Sequence, residues 1–271
     1  MRTYIILIAS TLMASAQPAM TLVGLENDGV SLLGLRSPEF IAALDARRDT
    51  KADVLLPYSV LVSNRSKLGI IAYSLTWRCH DGSGKIVPHN ITRWDFRALN
   101  VGLGPGRSKL FSIVRGVGTP STEPDERIRT IAGFYERQES IEVQLDLAVF
   151  ADGRAAGPDP DHWLPRLRAW MEAERDLQSG VAGLRRPEDV EAFVLSAARS
   201  VDLSDPGKAT ADLARRVNTA RSFGEAYGLA RTYFAAWMAL GAQKSGYGAV
   251  LEQVRQNMTS RRYPVIHREE N

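Results

Sequence analysis

The spacing of the apolar residues changes along this 271-residue chain, and the change limits what the chain can fold into. Apolar and polar residues alternate from Gly69 to Cys79 and again from Ile141 to Val149. Successive side chains of a strand point to opposite faces, so alternation predicts strands with one apolar and one polar face. About six such strands, separated by turn residues between Asp53 and Ala151, are typical of an antiparallel β-sandwich.

After Gly157-Pro158 the apolar residues recur three and four positions apart, which is the spacing of one helical face. The first predicted helix carries Trp163, and Asp159 or Asp161 is its candidate N-cap. The other predicted helices are a segment from Pro187, a long one from Pro206 to Met238 that Gly224, Gly228 or Gly241 could break, and a last one from Gly246 to Tyr263. Their apolar stripes need a partner surface, and we expect a small bundle rather than packing against one sheet.

The first sixteen residues have the three parts of a secretory signal peptide. Arg2 is positive, Ile5 to Met13 is mostly apolar, and Ala14-Ser15-Ala16 supplies the small residues that a signal peptidase requires. We therefore expect cleavage between Ala16 and Gln17, and a mature protein that is periplasmic or secreted.

An uncleaved leader is the alternative, because the stretch from Thr3 to Leu25 is long enough to cross a bilayer. Gln17 and Pro18 interrupt this stretch, and the apolar core before them is too short for a span. No later segment of the sequence is apolar enough to span. We expect no integral membrane segment once the leader is removed.

The strand region has a resemblance to known modules. Pro57 to Ser66, followed by Ile71 to Trp77, resembles the early strands of immunoglobulin-like or fibronectin type III-like domains. Phe150 to Gly153, followed by Gly157 to Asp159, is similar to the end of this region in uncharacterised exported bacterial proteins with a helical C-terminal region. The resemblance implies an α+β fold, with an antiparallel immunoglobulin-like β-sandwich followed by an α-helical C-terminal region. It implies no functional residues.

These patterns divide the chain into four predicted parts. They are a signal peptide over 1–16, an N-terminal segment with a short helix over 17–52, a β-sandwich domain over 53–157 and a helical domain over 158–271. The short helix is predicted to start at Ser37-Pro38-Glu39, and residues 119–127 are predicted to form an exposed loop because they are rich in proline and charge.

Charge and cysteine content exclude some classes of function. The formal net charge is +3 and the two signs nearly balance, so we expect no nucleic-acid partner. Cys79 is the single cysteine and has no partner for an internal disulfide. We interpret it as a small buried apolar residue. An intermolecular disulfide or a nucleophilic role is the alternative.

The sequence predicts neither a metal site nor a cofactor. The four histidines lack the spacing of metal ligands, and the glycine-rich stretch 102–106 lacks the Lys and Ser/Thr of a phosphate loop. Asp152, Asp159 and Asp161 form an acidic cluster. Prolines interrupt the alternation that a calcium loop needs, so we interpret the cluster as a linker and helix cap.

Aromatic residues give the candidate ligand-binding positions. Trp94 and Phe96 share one face of a predicted strand, where they could stack on a sugar or a protein partner. Together with Tyr58, Tyr73 and Trp77 they are alternatively interpreted as core residues. The arginine doublets at 185–186, 215–216 and 261–262 form no single stripe and are interpreted as solvated faces.

We therefore expect an exported, non-catalytic protein that serves binding or envelope structure. Its predicted partner is an unidentified protein or a glycan. The alternatives are carbohydrate binding and an envelope hydrolase that acts on glycans or peptides. The acidic cluster and the aromatic residues are the features that favour these alternatives.

Overall fold

A computed structural model describes residues 18–45, 53–94, 102–111, 125–260 and 264–268, and shows an α+β protein. The predicted signal peptide over 1–16 lies outside the described residues. The chain divides into two compact units. The first unit comprises Met1–Ser66, Leu75–Thr92 and Gly106–Leu145, and the second comprises Lys67–Ser74, Arg93–Pro105 and Asp146–Asn271.

Nine strands and six helices occur in the described residues. The strands are β1 (Ala19–Val23), β2 (Val30–Leu33), β3 (Val60–Asn64), β4 (Ile70–His80), β5 (Ile86–Trp94), β6 (Ser108–Phe111), β7 (Ser140–Phe150), β8 (Arg154–Ala156) and β9 (His267–Arg268). The helices are α1 (Pro38–Asp45), α2 (Asp125–Glu136), α3 (Trp163–Ala182), α4 (Pro187–Ala197), α5 (Pro206–Thr219) and α6 (Phe223–Ser260).

The strands form two sheets. One has six strands in the order β5-β4-β7-β8-β9, with β1 also paired to β7, and the other has three in the order β2-β3-β6. The expectation of antiparallel strands within 53–157 is confirmed for β3 with β6 and for β7 with β8. Two strands from outside that region, which were not predicted, add parallel pairs, because β1 runs parallel to β7 and β9 runs parallel to β8. Alternation of side chains identifies a strand but carries no information about the direction of its partner.

Aromatic and aliphatic side chains fill the first unit. Phe40 on α1, Leu61 on β3 and Leu110 on β6 form one buried cluster. The indole nitrogen of Trp77 donates a 3.0 Å hydrogen bond to the carbonyl oxygen of Tyr58, so this buried indole is satisfied. The predicted short helix is confirmed as α1, in which the hydroxyl of Ser37 accepts a 3.0 Å hydrogen bond from the backbone of Phe40.

The second unit has two buried clusters. One joins β7 and β8 to α3 and includes Leu147, Val149, Trp163 and Leu167. The other is a helical core in which α6 packs against α3, α4 and α5. Many of its buried residues are alanines, such as Ala173 and Ala230, and small side chains let helices approach closely. The predicted helical bundle is confirmed for the packing of α6 against α3, α4 and α5, but α3 also packs against β7 and β8, which the expectation of a bundle alone did not include.

The long predicted segment from Pro206 is two helices. α5 ends at Thr219, Ala220 has an extended ψ of 141°, and α6 begins at Phe223. The backbone of α6 is non-helical at Gly246, with φ 80°, and this agrees with the predicted start of the last helix at Gly246. The breaks considered at Gly224, Gly228 and Gly241 do not occur. Periodicity does not register a break such as the one between α5 and α6 when apolar residues continue on both sides of it.

Helix α2 was not predicted. It begins at Asp125, so the end of the predicted exposed loop is helical, and residues 112–124 lie outside the described residues. Ile128, Ala132 and Tyr135 are buried at helical spacing. Tyr135 packs on Tyr58 with 5.3 Å between the ring centroids.

Candidate functional site

The aromatic residues named with Trp94 and Phe96 are core residues. Tyr58, Tyr73 and Trp77 are buried, and burial raises the pKa of Tyr73 well above its usual range. Trp94 is the last residue of β5, and Phe96 lies outside the described residues. The Trp94–Phe96 ligand site therefore stays a prediction.

Cys79 is fully buried, and burial raises the pKa of its thiol to about 11. A thiol with such a pKa is protonated at neutral pH, and a protonated thiol is a poor nucleophile. The interpretation of Cys79 as a buried apolar residue is confirmed.

The acidic cluster serves local structure. Both carboxylate oxygens of Asp159 accept backbone hydrogen bonds at the start of α3, from Trp163 at 2.8 Å and from Leu164 at 3.0 Å. Asp152 accepts a 3.0 Å hydrogen bond from the backbone of Arg154 in the turn before β8. The interpretation of these two carboxylates as linker and helix-start residues is confirmed. The N-cap position itself is occupied by His162, not by Asp159 or Asp161, and Asp159 satisfies the first two N–H groups of α3 from three positions before the N-cap.

Metal ligands do not converge in the part of the chain that the structure describes, where no three of the His, Cys, Asp and Glu side chains could share an ion. His162 and His267 are exposed, and the side chain of His89 lies outside the described residues. None of the described helices is long and apolar enough to cross a membrane.

A polar recess lies in the second unit, on the surface formed by α4 and α6. Its volume is about 410 Å³, and we call it the arginine recess. The residues that line it are Phe193, Ser196, Ala197, Arg199, Ser200, Arg231 and Thr232. On α4, residues 196 and 197 lie one helical turn after residue 193. Arg199 and Ser200 follow shortly after the end of that helix. The N-terminal third of α6 supplies the other two residues.

The two guanidinium groups give the arginine recess its charge. Neither Arg199 nor Arg231 forms a hydrogen bond or ion pair with any residue that the structure describes. Other arginines of this unit do: Arg186 lies 2.7 Å from a carboxylate oxygen of Asp189, and Arg215 lies 3.1 Å from Asp212. Arg231 interacts electrostatically with Tyr227, whose hydroxyl donates a 2.6 Å hydrogen bond to Asp176. The arginine recess therefore carries two positive charges that are not held in ion pairs within the described residues.

Hydroxyl groups complete the lining. The hydroxyls of Ser196 and Ser200 form no hydrogen bond within the described residues, so both can donate to a ligand. Thr232 donates instead to the carbonyl oxygen of Gly228 at 3.1 Å and can only accept from a ligand. Phe193 supplies an apolar wall, and its ring is held against Gly180 of α3.

The chemistry of the lining favours binding over turnover. Arginine stays protonated at any physiological pH, and a serine hydroxyl becomes a nucleophile only beside a general base. No carboxylate, histidine or cysteine is among the described residues that line the recess. The arrangement can hold an anion, and it offers no group that would take a proton from serine.

A second cavity, of about 640 Å³, lies in the first unit. Its lining is mostly apolar and includes Met20, Leu22, Leu35 and Pro57. Arg36 at its rim is exposed. This cavity offers one charged group among apolar side chains, so it is a less specific site than the arginine recess.

Sequence reasoning missed the arginine recess. The signal on α4 was visible, since Ser196 and Ser200 are four positions apart and flank Arg199. Arg231 lies 32 positions further along the chain, and only the packing of α6 on α4 brings it to the same place.

Comparison with known proteins gives no relative: no family model, no curated protein and no solved structure matches the chain.

Proposed function

We propose that this protein is an exported, non-catalytic binding protein of a bacterial envelope. The single observation that carries the binding role is the arginine recess, which two arginines line without an ion pair to a carboxylate among the described residues. A binding protein needs such a preformed set of donors, whereas an enzyme also needs groups that move protons or attack the substrate. The leader pattern at 1–16 supports export.

We also propose that the strand region is a variant of the immunoglobulin-like or fibronectin type III-like sandwich, as in the exported bacterial proteins that it resembles. Two sheets support this proposal, because strands of both contribute to the first unit. The parallel pairing of β1 with β7 is a departure from the antiparallel pattern. In this view the strands form the scaffold, and the helices of the second unit supply the binding surface.

The proposed function is tested on purified mature protein, residues 17–271. We expect no hydrolysis across a panel of chromogenic glycosides, esters and peptides. We also expect the protein to bind isolated envelope fragments, and we expect this binding to fall when Arg199 and Arg231 are both replaced by glutamine. Arg185→Gln is the matched control, since Arg185 is exposed and lies outside the recess. Hydrolysis by the mature protein would contradict the proposal.

Carbohydrate binding at Trp94 and Phe96 is the alternative that the sequence pattern favours. Tryptophan emission is measured while the mature protein is titrated with polysaccharide. A change that disappears in Trp94→Phe would favour this alternative, and a flat response would remove it. A hydrolase has less support, because Asp159 and Asp152 of the acidic cluster are engaged in a helix cap and a turn.

A further inference from the structure

We infer that the arginine recess binds the phosphoryl group of a phosphate monoester. This inference rests on the proposed binding function and deepens it by naming the class of ligand. Its basis is the set of groups that α4, the turn after it and α6 bring to one recess, with Arg199 contributed by the turn and Arg231 by α6.

Charge selects the kind of anion. A phosphate monoester carries a charge of about −1.5 to −2 at neutral pH, because its second pKa is about 6. Arg199 and Arg231 supply two positive charges and have no counterion among the described residues. A carboxylate, with one negative charge, would leave half of this positive charge uncompensated.

The number and shape of the donors point to the same ligand. A guanidinium presents N–H groups as a planar fork that can donate two parallel hydrogen bonds to one oxyanion. Two such forks, together with the hydroxyls of Ser196 and Ser200, offer more donors than the two oxygens of a carboxylate accommodate with good geometry. The three terminal oxygens of a phosphate monoester provide the additional acceptors.

The recess also has room for the organic part of such a ligand. Its volume of about 410 Å³ far exceeds the space of one water molecule in the liquid, which is about 30 Å³. A phosphoryl group held by the arginines would leave Phe193 and Ala197 exposed to the remainder of the ligand. Inorganic phosphate fills only the polar part, so we expect the ester to bind more tightly.

The helix end makes the arginines indispensable. α4 ends at Ala197, directly beside Arg199, and the C-terminal end of a helix carries a partial negative charge. This end opposes an anion instead of attracting one. Binding must therefore come from the two guanidinium groups, and loss of either one should be severe.

The test is isothermal titration calorimetry on the mature protein with glycerol 3-phosphate, inorganic phosphate and acetate in separate titrations. We expect glycerol 3-phosphate to bind most tightly and acetate most weakly. Because charge-assisted hydrogen bonds are the strong ones, Arg199→Gln and Arg231→Gln should each weaken glycerol 3-phosphate at least about tenfold. Arg185→Gln should change its affinity by less than about twofold, since exposed charges outside the site are screened by salt.

Three results would overturn the inference. They are no binding of glycerol 3-phosphate by the wild-type chain, binding of it by either recess variant as tight as by the wild type, and acetate binding as tight as that of the ester. Circular dichroism of each variant verifies folding, which we expect to be unchanged because neither arginine bonds a described residue. A flat titration with intact binding to envelope fragments would overturn the ligand class alone, whereas hydrolytic activity would overturn the proposed function.

Discussion

Asp159 Oδ1 lies 2.8 Å from the backbone nitrogen of Trp163, and this hydrogen bond joins the strand region to the first helix of the second unit. The backbone nitrogen of Asp159 donates in turn to the carbonyl oxygen of Asp146 on β7 at 2.9 Å. Asp159 has a positive φ of 48°, a conformation that Asp and Asn adopt more readily than most residues. One residue thus connects the middle of β7 to the start of α3 by hydrogen bonds.

We predict that Asp159→Ala lowers the free energy of unfolding by about 1–2 kcal/mol, because two backbone N–H groups at the start of α3 lose their acceptor. Urea unfolding followed by circular dichroism measures the change. Asp205→Ala is the control, since Asp205 caps α5 through a single exposed hydrogen bond of 3.0 Å from Lys208. The free energy of unfolding should fall less in Asp205→Ala than in Asp159→Ala. An equal fall in the two variants would contradict the role assigned to Asp159.

Gly153 holds β9 in place, and we predict that Gly153→Ala is strongly destabilising. Gly153 has φ 93°, and an added Cβ would overlap the carbonyl group of Val265, whose carbon lies 2.9 Å away. We expect a loss of about 2–5 kcal/mol, because a backbone conformation unfavourable to alanine is combined with a clash against backbone atoms.

Hydrogen exchange provides the readout for this variant. The amide of His267 donates to the carbonyl oxygen of Gly153 at 2.9 Å and should lose protection in Gly153→Ala. Gly84→Ala is the matched control, since Gly84 has φ 74° with nothing within 4 Å of its Cβ position. The control should cost only about 1–2 kcal/mol. Unchanged protection of His267 in Gly153→Ala would show that β9 does not depend on this glycine.

The buried thiol predicts a loss of stability at high pH. The pKa of Cys79 is about 11 in the folded protein and 9.0 in its ordinary environment, so the unfolded chain releases this proton first. The contribution of Cys79 to stability is therefore constant below about pH 9 and declines as the pH rises from 9 to 11. Urea unfolding of wild type and Cys79→Ala at pH 8, 9.5 and 10.5 gives the difference in the free energy of unfolding between the two proteins at each pH. Because both proteins contain the same buried tyrosines, the effect of the tyrosines cancels in this difference.

The accessibility of the Cys79 thiol is measured by its reactivity. Native protein should react with a disulfide reagent at neutral pH far more slowly than urea-unfolded protein, because the thiol is buried and protonated. Equal rates in the two states would mean that Cys79 is accessible in the native protein.

The leader pattern predicts the N-terminus of the exported protein. Wild type expressed in a bacterial host should be recovered from the envelope or medium with Gln17 as its first residue. Ala16→Phe should keep the leader, because a large residue blocks the peptidase at that position. Since β1 begins at Ala19, cleavage before Gln17 leaves the strand complete. Recovery of the wild-type chain from the cytoplasm with its leader intact would contradict the prediction of export.

Local patterns were sufficient for the elements whose apolar face is regular. The alternation in the sequences of β4 and β7 and the helical spacing in α3 predicted these elements. The polar face expected of β4 and β7 is not exposed along its whole length, because every residue from Ala72 to Trp77 and from Leu145 to Phe150 is buried. The parallel partners β1 and β9 were not predicted, since they are short strands whose pairing depends on residues far away in the chain. The break between α5 and α6 was missed for a related reason, because Val217, Ala220 and Ala226 continue the apolar stripe across it.

Local sequence patterns could not predict the candidate site. Arg199 and Arg231 come to line one recess only through the packing of α6 against α4, and neither arginine stands out in the sequence alone. The sequence did support a negative conclusion about the carboxylates, because Pro158 and Pro160 made Asp159 a poor metal ligand and a good cap. Caps depend on a few neighbouring residues and can be predicted, whereas a recess depends on tertiary packing.

The most direct measurement of the central claim is an NMR titration that observes the arginine side-chain Nε–H signals of the mature protein during addition of glycerol 3-phosphate. The account predicts that the signals of Arg199 and Arg231 shift together along one saturable curve, while the signal of Arg185 stays in place. Uniform small shifts of all arginines, or no shift at Arg199 and Arg231, would contradict a phosphoryl site in the arginine recess.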